Sequence, residues 1–475
     1  MRHPFIAASA ACFLAGCTSV GPDYTKPDLS LATNYAEPAG KSRPVGPGTR
    51  WWEGLADPIL DDLIAQAQRS NLTVAQAIER VGEARANAKA TGAEGFPELD
   101  ASGSFERKKT DSGSATTTAS GELAASWEID LFGKYRRSRE SALATLEATG
   151  EDLKAARLTL LGDVATDYVQ MRGYSRRLEV ARRELEAKRQ VLRITRANLR
   201  VGNATTLEVS EAEGSAAKTE ANIPSLETSL QASMNALATL LDIPFLTVRA
   251  QLATGGDAVP MPRHSVGSGV PADLLRYRPD VRAAERSLAA AVADIGVAEA
   301  DLYPSLTLSG SLNVSVERIA GVSNGSTGWA LGPSLDVPVF NAGRLRALVD
   351  VERSQANRQY FAYRQTVMNA VEEVENALVS FSRAKRRRAA LEKSVAAYRQ
   401  AVDQSRELYE SGVIDFLNFL DAQDDLYSAQ DTLVQSEVAI ATDYITLCKA
   451  LGGGWTASPA PKARKPDVDH PKPQI

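Results

Sequence analysis

The chain has 475 residues, 44% hydrophobic and 24% charged, with a formal net charge of -5. That composition excludes a disordered or collagen-like chain, and the acidic balance speaks against a general nucleic-acid binder. A mean hydropathy of -0.22 and the lack of any run of about 18 apolar residues exclude a polytopic helical membrane protein, but not a β-barrel with strands of alternating polarity.

The chain opens Met1-Arg2-His3, continues through an apolar run at 4–14 and reaches Ala15-Gly16-Cys17. Residues 1–16 therefore read as a signal peptide. Leu14-Ala15-Gly16-Cys17 resembles the lipobox of bacterial lipoproteins, which implies cleavage before Cys17 and acylation of its thiol. Thr18, where Asp could stand, then implies sorting to the outer membrane. Lipid chains contribute about 0.8 kcal/mol per buried CH₂, so several chains on Cys17 would anchor the 17–56 segment stably. Cys12 leaves with the signal and Cys448 stands alone, so the mature chain has no intrachain disulfide. Cys448 reads as a small core residue.

From there the chain repeats itself. Gly-Phe-Pro-Glu-Leu-Asp-Ala-Ser-Gly-Ser at 95–104 echoes Leu-Tyr-Pro-Ser-Leu-Thr-Leu-Ser-Gly-Ser at 302–311, an offset of 207. The offset becomes 208 where Ser126 matches Ser334 and Phe132 matches Phe340, and 210 where Gly202 matches Gly412 and Leu207 matches Leu417. Units this long are not solenoid repeats, so gene duplication is the reading. The first repeat is placed at 57–250, a linker at 251–272, the second repeat at 273–455 and a disordered Pro/Lys/Ala-rich tail at 456–475.

Each repeat contains a long stretch without proline. Leu178, Leu185, Leu192 and Leu199 recur every seven residues, with Ala181 and Thr195 between them. In the second repeat Leu391, Val395, Tyr398, Val402, Ser405 and Tyr409 step by four and three, and Leu426, Leu433, Ile440 and Leu447 form another seven-residue series. Sustained heptads mean helices packed as coiled coils. The spacing predicts helices over about 134–201 and 342–411, each about 100 Å long at 1.5 Å per residue. Each ends at a glycine, and returning helices are expected over about 205–241 and 415–451.

Four segments between the helices alternate with period two. Leu99 to Phe105, Leu123 to Leu131, Leu306 to Val316 and Trp329 to Val339 set apolar residues against small, hydroxylated or acidic ones. They read as strands of about ten residues, the length of a tilted transmembrane strand. The apolar set, with Trp127, Leu306, Leu308, Leu312, Trp329 and Leu331, is the expected lipid face. Residues 111–118 and 321–326 read as exposed loops. Four strands cannot close a membrane barrel and lipid tolerates no open edge, so if these strands span the membrane the chain must oligomerise. The strand count alone leaves a dimer or a trimer open. The fold class is mixed α+β, mainly α.

The residues that match a known family run in order along the chain. They are Gly21-Pro22-Asp23-Tyr24, Trp51-Trp52-Glu53, Ser126-Trp127-Glu128-Ile129-Asp130-Leu131-Phe132-Gly133 and Arg278-Pro279-Asp280-Val281-Arg282-Ala283-Ala284-Glu285. Leu420-Asp421-Ala422-Gln423 and Ala450-Leu451-Gly452-Gly453-Gly454-Trp455 follow. The chain resembles the TolC-like outer-membrane efflux channels, in the lipoprotein branch that serves RND-type drug-efflux pumps. The resemblance implies a homotrimer with a 12-stranded transmembrane β-barrel and a trimeric α-barrel of antiparallel coiled-coil helices projecting into the periplasm. It implies docking to a periplasmic adaptor and an inner-membrane pump, with drugs or other small molecules leaving passively. A duct for protein secretion and a pore-less coiled-coil lipoprotein are the alternatives.

The closed state is expected at the hairpin tips. Leu417 and Asp421 share a helix face at i, i+4, and Leu207 and Glu211 match them. By resemblance, Leu417 and Asp421 form stacked constricting rings; from the residues alone Leu417 reads as a coiled-coil core residue. Val201, Gly202, Gly412 and Val413 mark the adaptor-docking tips.

Gly321-Val322-Ser323-Asn324-Gly325 fits the G-x-S-x-G hydrolase pattern but lacks a strand–turn–helix context. The three histidines, His3, His264 and His470, are scattered, which offers no metal site. The reading is therefore a channel, not an enzyme, with no cofactor and no nucleic-acid partner.

Overall fold

The computed structural model describes residues 19–37, 45–109, 113, 115–252, 256, 258–263, 266–319 and 322–455. Cys17 and the 456–475 tail lie outside the described residues, as do His264 and part of the 251–272 linker. A 3-10 turn at Trp51–Leu55 leads into α1 (Pro58–Ser70), α2 (Leu72–Ala93), β1 (Glu98–Lys108), β2 (Thr116–Ile129) and α3 (Lys134–Arg200). Then come α4 (Thr206–Leu241), α5 (Phe245–Leu252), α6 (Leu274–Tyr277) and α7 (Pro279–Ala300). The chain ends in β3 (Ser305–Ile319), β4 (Val322–Asp336), α8 (Arg344–Glu410) and α9 (Phe416–Ala450). The order α2-β1-β2-α3-α4 recurs as α7-β3-β4-α8-α9. Both α3 and α8 have 67 residues, and both α2 and α7 have 22.

The chain divides into two compact units. The first holds the described residues within Met1–Leu29, Ile78–Asp152 and Asp280–Thr366. Its sheet has the order β1-β2-β3-β4, every pair antiparallel. The strands run 11, 14, 15 and 15 residues, longer than the ten expected from alternation. Thr116–Thr118, read as loop, pair with Glu106–Lys108, and Val322–Ser326, also read as loop, pair with Ser315–Ile319. Backbone ladders need no apolar side chains, so hydroxylated and glycine residues extend a hairpin past the point where alternation fades. Gly325 and Ser323 of the hydrolase-like pattern thus lie in a strand. Below the sheet, α7 packs on α3 through Ala144, Ala289 and Ala290, whose small side chains let the helices approach closely.

The second unit holds the described residues within Ser30–Ala77, Leu153–Pro279 and Val367–Ile475. Its core is made by Trp52, Leu60, Ile64, Leu161, Tyr168, Leu237, Leu241, Leu274, Ile445 and Leu447, all fully buried. Cys448 is buried among them, and burial pushes its thiol pKa up, as fits an inert core residue. The predicted heptads face inward: Leu178, Leu185, Val395, Val402, Leu426, Ile440 and Leu447 are buried. Pro224 sits inside α4, within the returning helix expected over about 205–241. It removes one backbone bond, and the Thr228 hydroxyl, one turn on, donates to its carbonyl at 2.9 Å. Among the described residues no helix is long and apolar enough to cross a membrane.

Candidate functional site

The sheet has two chemically distinct faces. Its register sets Leu123 opposite Leu312, Trp127 opposite Leu308, Leu312 opposite Trp329 and Gly310 opposite Leu331, so the apolar residues form one continuous band. Of the expected lipid-face residues, Trp127, Leu308, Leu312, Trp329 and Leu331 are exposed and Leu306 is half-buried. A band of this size left in water would forfeit roughly 1.5–3 kcal/mol per large side chain, which marks it as an interaction surface. The opposite face carries Ser102, Ser104, Ser120, Glu122, Ser309, Ser311, Ser315 and Ser326. Two cross-strand hydroxyl pairs, Ser104–Ser120 and Ser315–Ser326, each close at 2.8 Å. Small wettable side chains there leave room for water. Among the described residues, both outer edges, on β1 and β4, are unpaired.

The hairpin tips share one backbone solution. The Asn203 N–H donates to the Asn198 carbonyl and the Gly202 N–H to that of Leu199, at 2.9 and 3.1 Å. The Val413 N–H donates to Leu408 and the Gly412 N–H to Tyr409, both at 2.9 Å. This 6→1 closure needs a left-handed residue, supplied by Gly202 (φ 81°) and Gly412 (φ 75°). Val201 and Val413 stand exposed beside them.

Leu417 is 51% exposed and Asp421 is exposed on the same face of α9. The core position that the residues alone suggested for Leu417 belongs instead to Phe416, Phe419 and Leu420, which pack on Ala212, Val191, Leu192 and Tyr409. The seven-residue series of Leu426, Ile440 and Leu447, carried one step back, lands on the buried Phe419. Leu207 is 65% exposed and Glu211 half-buried at the matching places of α4.

Residues that sequence reasoning missed hold these hairpins. Lys188 of α3 is buried and meets Glu184 at 2.8 Å, Asp424 of α9 at 2.7 Å and the Thr219 hydroxyl at 3.0 Å. Burial works against its charge, but the bonds to Asp424 and Glu184 outweigh it and raise its pKa. Arg177 grips both oxygens of Asp431 on α9, at 2.6 and 3.0 Å. A signal for Lys188 was present, because it stands seven residues after Ala181 and seven before Thr195, in the heptad seam itself. Between α3 and α4, Arg182–Glu227, Arg189–Glu220 and Arg196–Glu213 form exposed rungs at 2.8, 3.0 and 3.3 Å. Each exposed rung contributes no more than about 1 kcal/mol.

The scattered motifs converge. Trp51 donates its indole N–H to Gly453 at 3.1 Å, and the Tyr444 hydroxyl donates to the Trp51 carbonyl at 2.8 Å. Arg278 donates to the Ala450 carbonyl at 3.1 Å, and Trp455 to that of Tyr277 at 3.0 Å. In the other unit, Arg137 donates to the carbonyls of Val20 and Gly21 and pairs with Asp23 at 2.7 Å. Tyr24 and Lys26 both reach Glu285, at 3.2 and 2.9 Å. The N-terminal segment that follows Cys17 is thus strapped to the helices beneath the sheet.

The family model for outer membrane efflux proteins matches residues 63–242 and 270–453. The chain belongs to the outer membrane efflux protein family. It is the outer-membrane channel of a tripartite efflux system. This channel is 37% identical to nodulation protein T of Rhizobium leguminosarum bv. viciae, over 98% of this chain and 96% of that protein. It is 34% identical to the pyoverdine export outer membrane protein OpmQ of Pseudomonas putida, over 91% of this chain and 94% of that one. The solved structure of the outer-membrane channel OprN superposes with a TM-score of 0.81 at 31% identity, covering 92% of this chain and 99% of that one.

Proposed function

We propose that three copies of this chain form one duct, with twelve strands in the outer membrane and the helical hairpins in the periplasm. The carrying observation is the four-stranded sheet, which has an exposed apolar face, a hydroxylated face and two unpaired edges. Lipid satisfies the first, water the second, and only further copies the third. Three copies give twelve strands around a watery lumen. The chain is a duplication of one helix–strand–strand–helix–helix unit, a reading supported by the two matched stretches and the recurring element order. Acylation of Cys17 anchors the segment that Arg137 and Glu285 strap down.

The tips around Gly202 and Gly412 dock a periplasmic adaptor, and an RND-type inner-membrane pump supplies small-molecule cargo. Leu417 and Asp421 form the constriction, an apolar ring that impedes flow by dewetting and an acidic ring that favours cations. The exposure of both side chains on one face supports this assignment. Cargo passes unchanged, without catalysis or cofactor. Light scattering of the purified lipoprotein should give the mass of three chains, and planar bilayers containing it should conduct ions. A single-chain mass, or silent bilayers, would contradict the proposal.

A further inference from the structure

The two long helices carry their charge differently at matching places. At the offset of 210, residues 173–189 of α3 correspond to 383–399 of α8. The α3 stretch has six cations and three acids, the α8 stretch seven cations and one acid. Every cation of the α3 stretch meets a carboxylate. Arg176 and Arg183 share Glu179, Arg177 holds Asp431, Arg182 and Arg189 meet Glu227 and Glu220, and Lys188 meets Glu184. On α8, Arg383 meets Glu37 at 3.6 Å and Arg388 meets Glu392 at 2.8 Å. Among the described residues Arg386, Arg387, Lys393 and Arg399 make no ion pair or hydrogen bond, and all four are exposed. These four stand where Arg176, Arg177, Arg183 and Arg189 do, but the acids have no counterpart: Glu179 matches Ala389, Glu220 matches Gln430 and Asp431 matches Ala221. The second repeat thus keeps the cations without their partners, at a cost in self-repulsion that a bound anion relieves.

We propose that this face of α8 binds a carboxylate-bearing glycopeptide polymer of the periplasm, the cell wall that the helices pass through. The inference rests on the reading of the helices as periplasmic and adds a ligand for their flank. Each guanidinium of Arg386, Arg387 and Arg399 matches a carboxylate with two parallel N–H bonds, and Lys393 adds a compact charge. The four cations cover about 20 Å of helix, so the ligand is extended. Arg386 and Lys393 are seven residues apart on one face of α8. Their counterparts Arg176 and Arg183 reach no acid beyond Glu179 of their own helix, so this face is turned away from the hairpin partners. Among the described residues no large hydrophobic side chain is exposed on α8 between Val379 and Leu408. Protein interfaces are centred on such anchors, so their lack here favours a hydrated polymer over a protein partner. Membrane lipid is out of reach as well. Arg386 stands about 40 residues along α8 from Arg344, on the order of 60 Å, many Debye lengths from the foot of the strands.

Sedimentation of the purified full-length lipoprotein with isolated cell-wall sacculi tests the proposal. The unaltered protein should pellet with the sacculi at low salt and stay in solution at about 1 M salt, where the Debye length is about 3 Å. Sacculi whose carboxylates have been amidated should not retain it. The R386Q/R387Q/K393Q/R399Q variant should bind about tenfold more weakly. The R182Q/R183Q/R189Q/R196Q variant makes the same change in charge at paired cations of α3 and should bind as the unaltered protein does. Both variants should conduct in planar bilayers. Equal weakening in the two variants, retention by amidated sacculi, or no retention of the unaltered protein would overturn the proposal and, with conductance intact, leave the channel reading standing. A photo-crosslinker at position 393 that captures a protein and no wall fragment in intact cells would overturn it too. Silent bilayers from the unaltered protein would remove the channel reading itself.

Discussion

At the first hairpin tip the Thr205 side chain accepts from the Glu208 N–H at 3.2 Å, and the Glu208 carboxylate accepts from the Thr205 N–H at 2.6 Å. At the second tip Asp415 makes no side-chain cap bond, and Asn418 stands where Glu208 does. The second tip has an aromatic cluster instead. Tyr409 and Phe419 stack with centroids 5.8 Å apart, and Phe416 lies 5.4 Å from Tyr409. The matching residues in the first repeat are Leu199, Thr206 and Val209. One helix start is therefore fixed by its own backbone, the other by what packs on it. An end held by its own cap stays formed when its neighbours move, whereas an end held by packing follows them. That difference favours the second tip as the moving part of the proposed constriction, with the first as its fixed frame.

The largest effect expected is at the aromatic cluster. Phe419→Ala should destabilise the second tip by about 3 kcal/mol, and Val209→Ala the first by about 1 kcal/mol. Amide hydrogen exchange of peptides covering 405–425 and 195–215 reads both; equal effects would erase the distinction. Next in size, Thr205→Ala should speed exchange at the first tip by about 1 kcal/mol, while Asp415→Ala should stay within about 0.5 kcal/mol. A loss at Asp415 as large as at Thr205 would show that the second tip has a cap after all.

The smallest effect is a pH dependence at one carboxyl that the second repeat lacks. Burial, with the Asp163 charge one turn away, pushes the Asp167 carboxyl up to about 6, and Ala377 occupies the matching place in the second repeat. A raised carboxyl pKa means that the folded state holds more protons than the unfolded state between the ordinary Asp value and about 6. Stability therefore falls as pH rises through that window. Asp167→Asn should raise the thermal midpoint by about 2–4 °C at pH 7 and leave it unchanged near pH 4. The same shift at both pH values would assign the effect to packing.

Much of this architecture could be read from the residues, and the failures have physical causes. The long helix expected over 134–201 is Lys134–Arg200, and the one over 342–411 is Arg344–Glu410, because heptads and terminal glycines are strong local signals. The strand ends were missed because Thr116–Thr118 and Val322–Ser326 pair through backbone alone, and their side chains carry turn-like composition. The returning helix expected over about 205–241 is Thr206–Leu241 with Pro224 inside it, since a long packed helix tolerates one lost bond. At the tips, a step of seven back from Leu426 lands on Phe419, with Phe416 three residues before it, and both are buried while Leu417, off that series, is exposed.

Single-channel conductance in planar bilayers tests the central claim, that this is a channel constricted at the second hairpin tip. Leu417→Ala with Asp421→Ala should raise conductance well above that of the unaltered channel, and Leu207→Ala with Glu211→Ala should raise it less. Unchanged conductance in the first variant, or a larger rise in the second, would contradict the account.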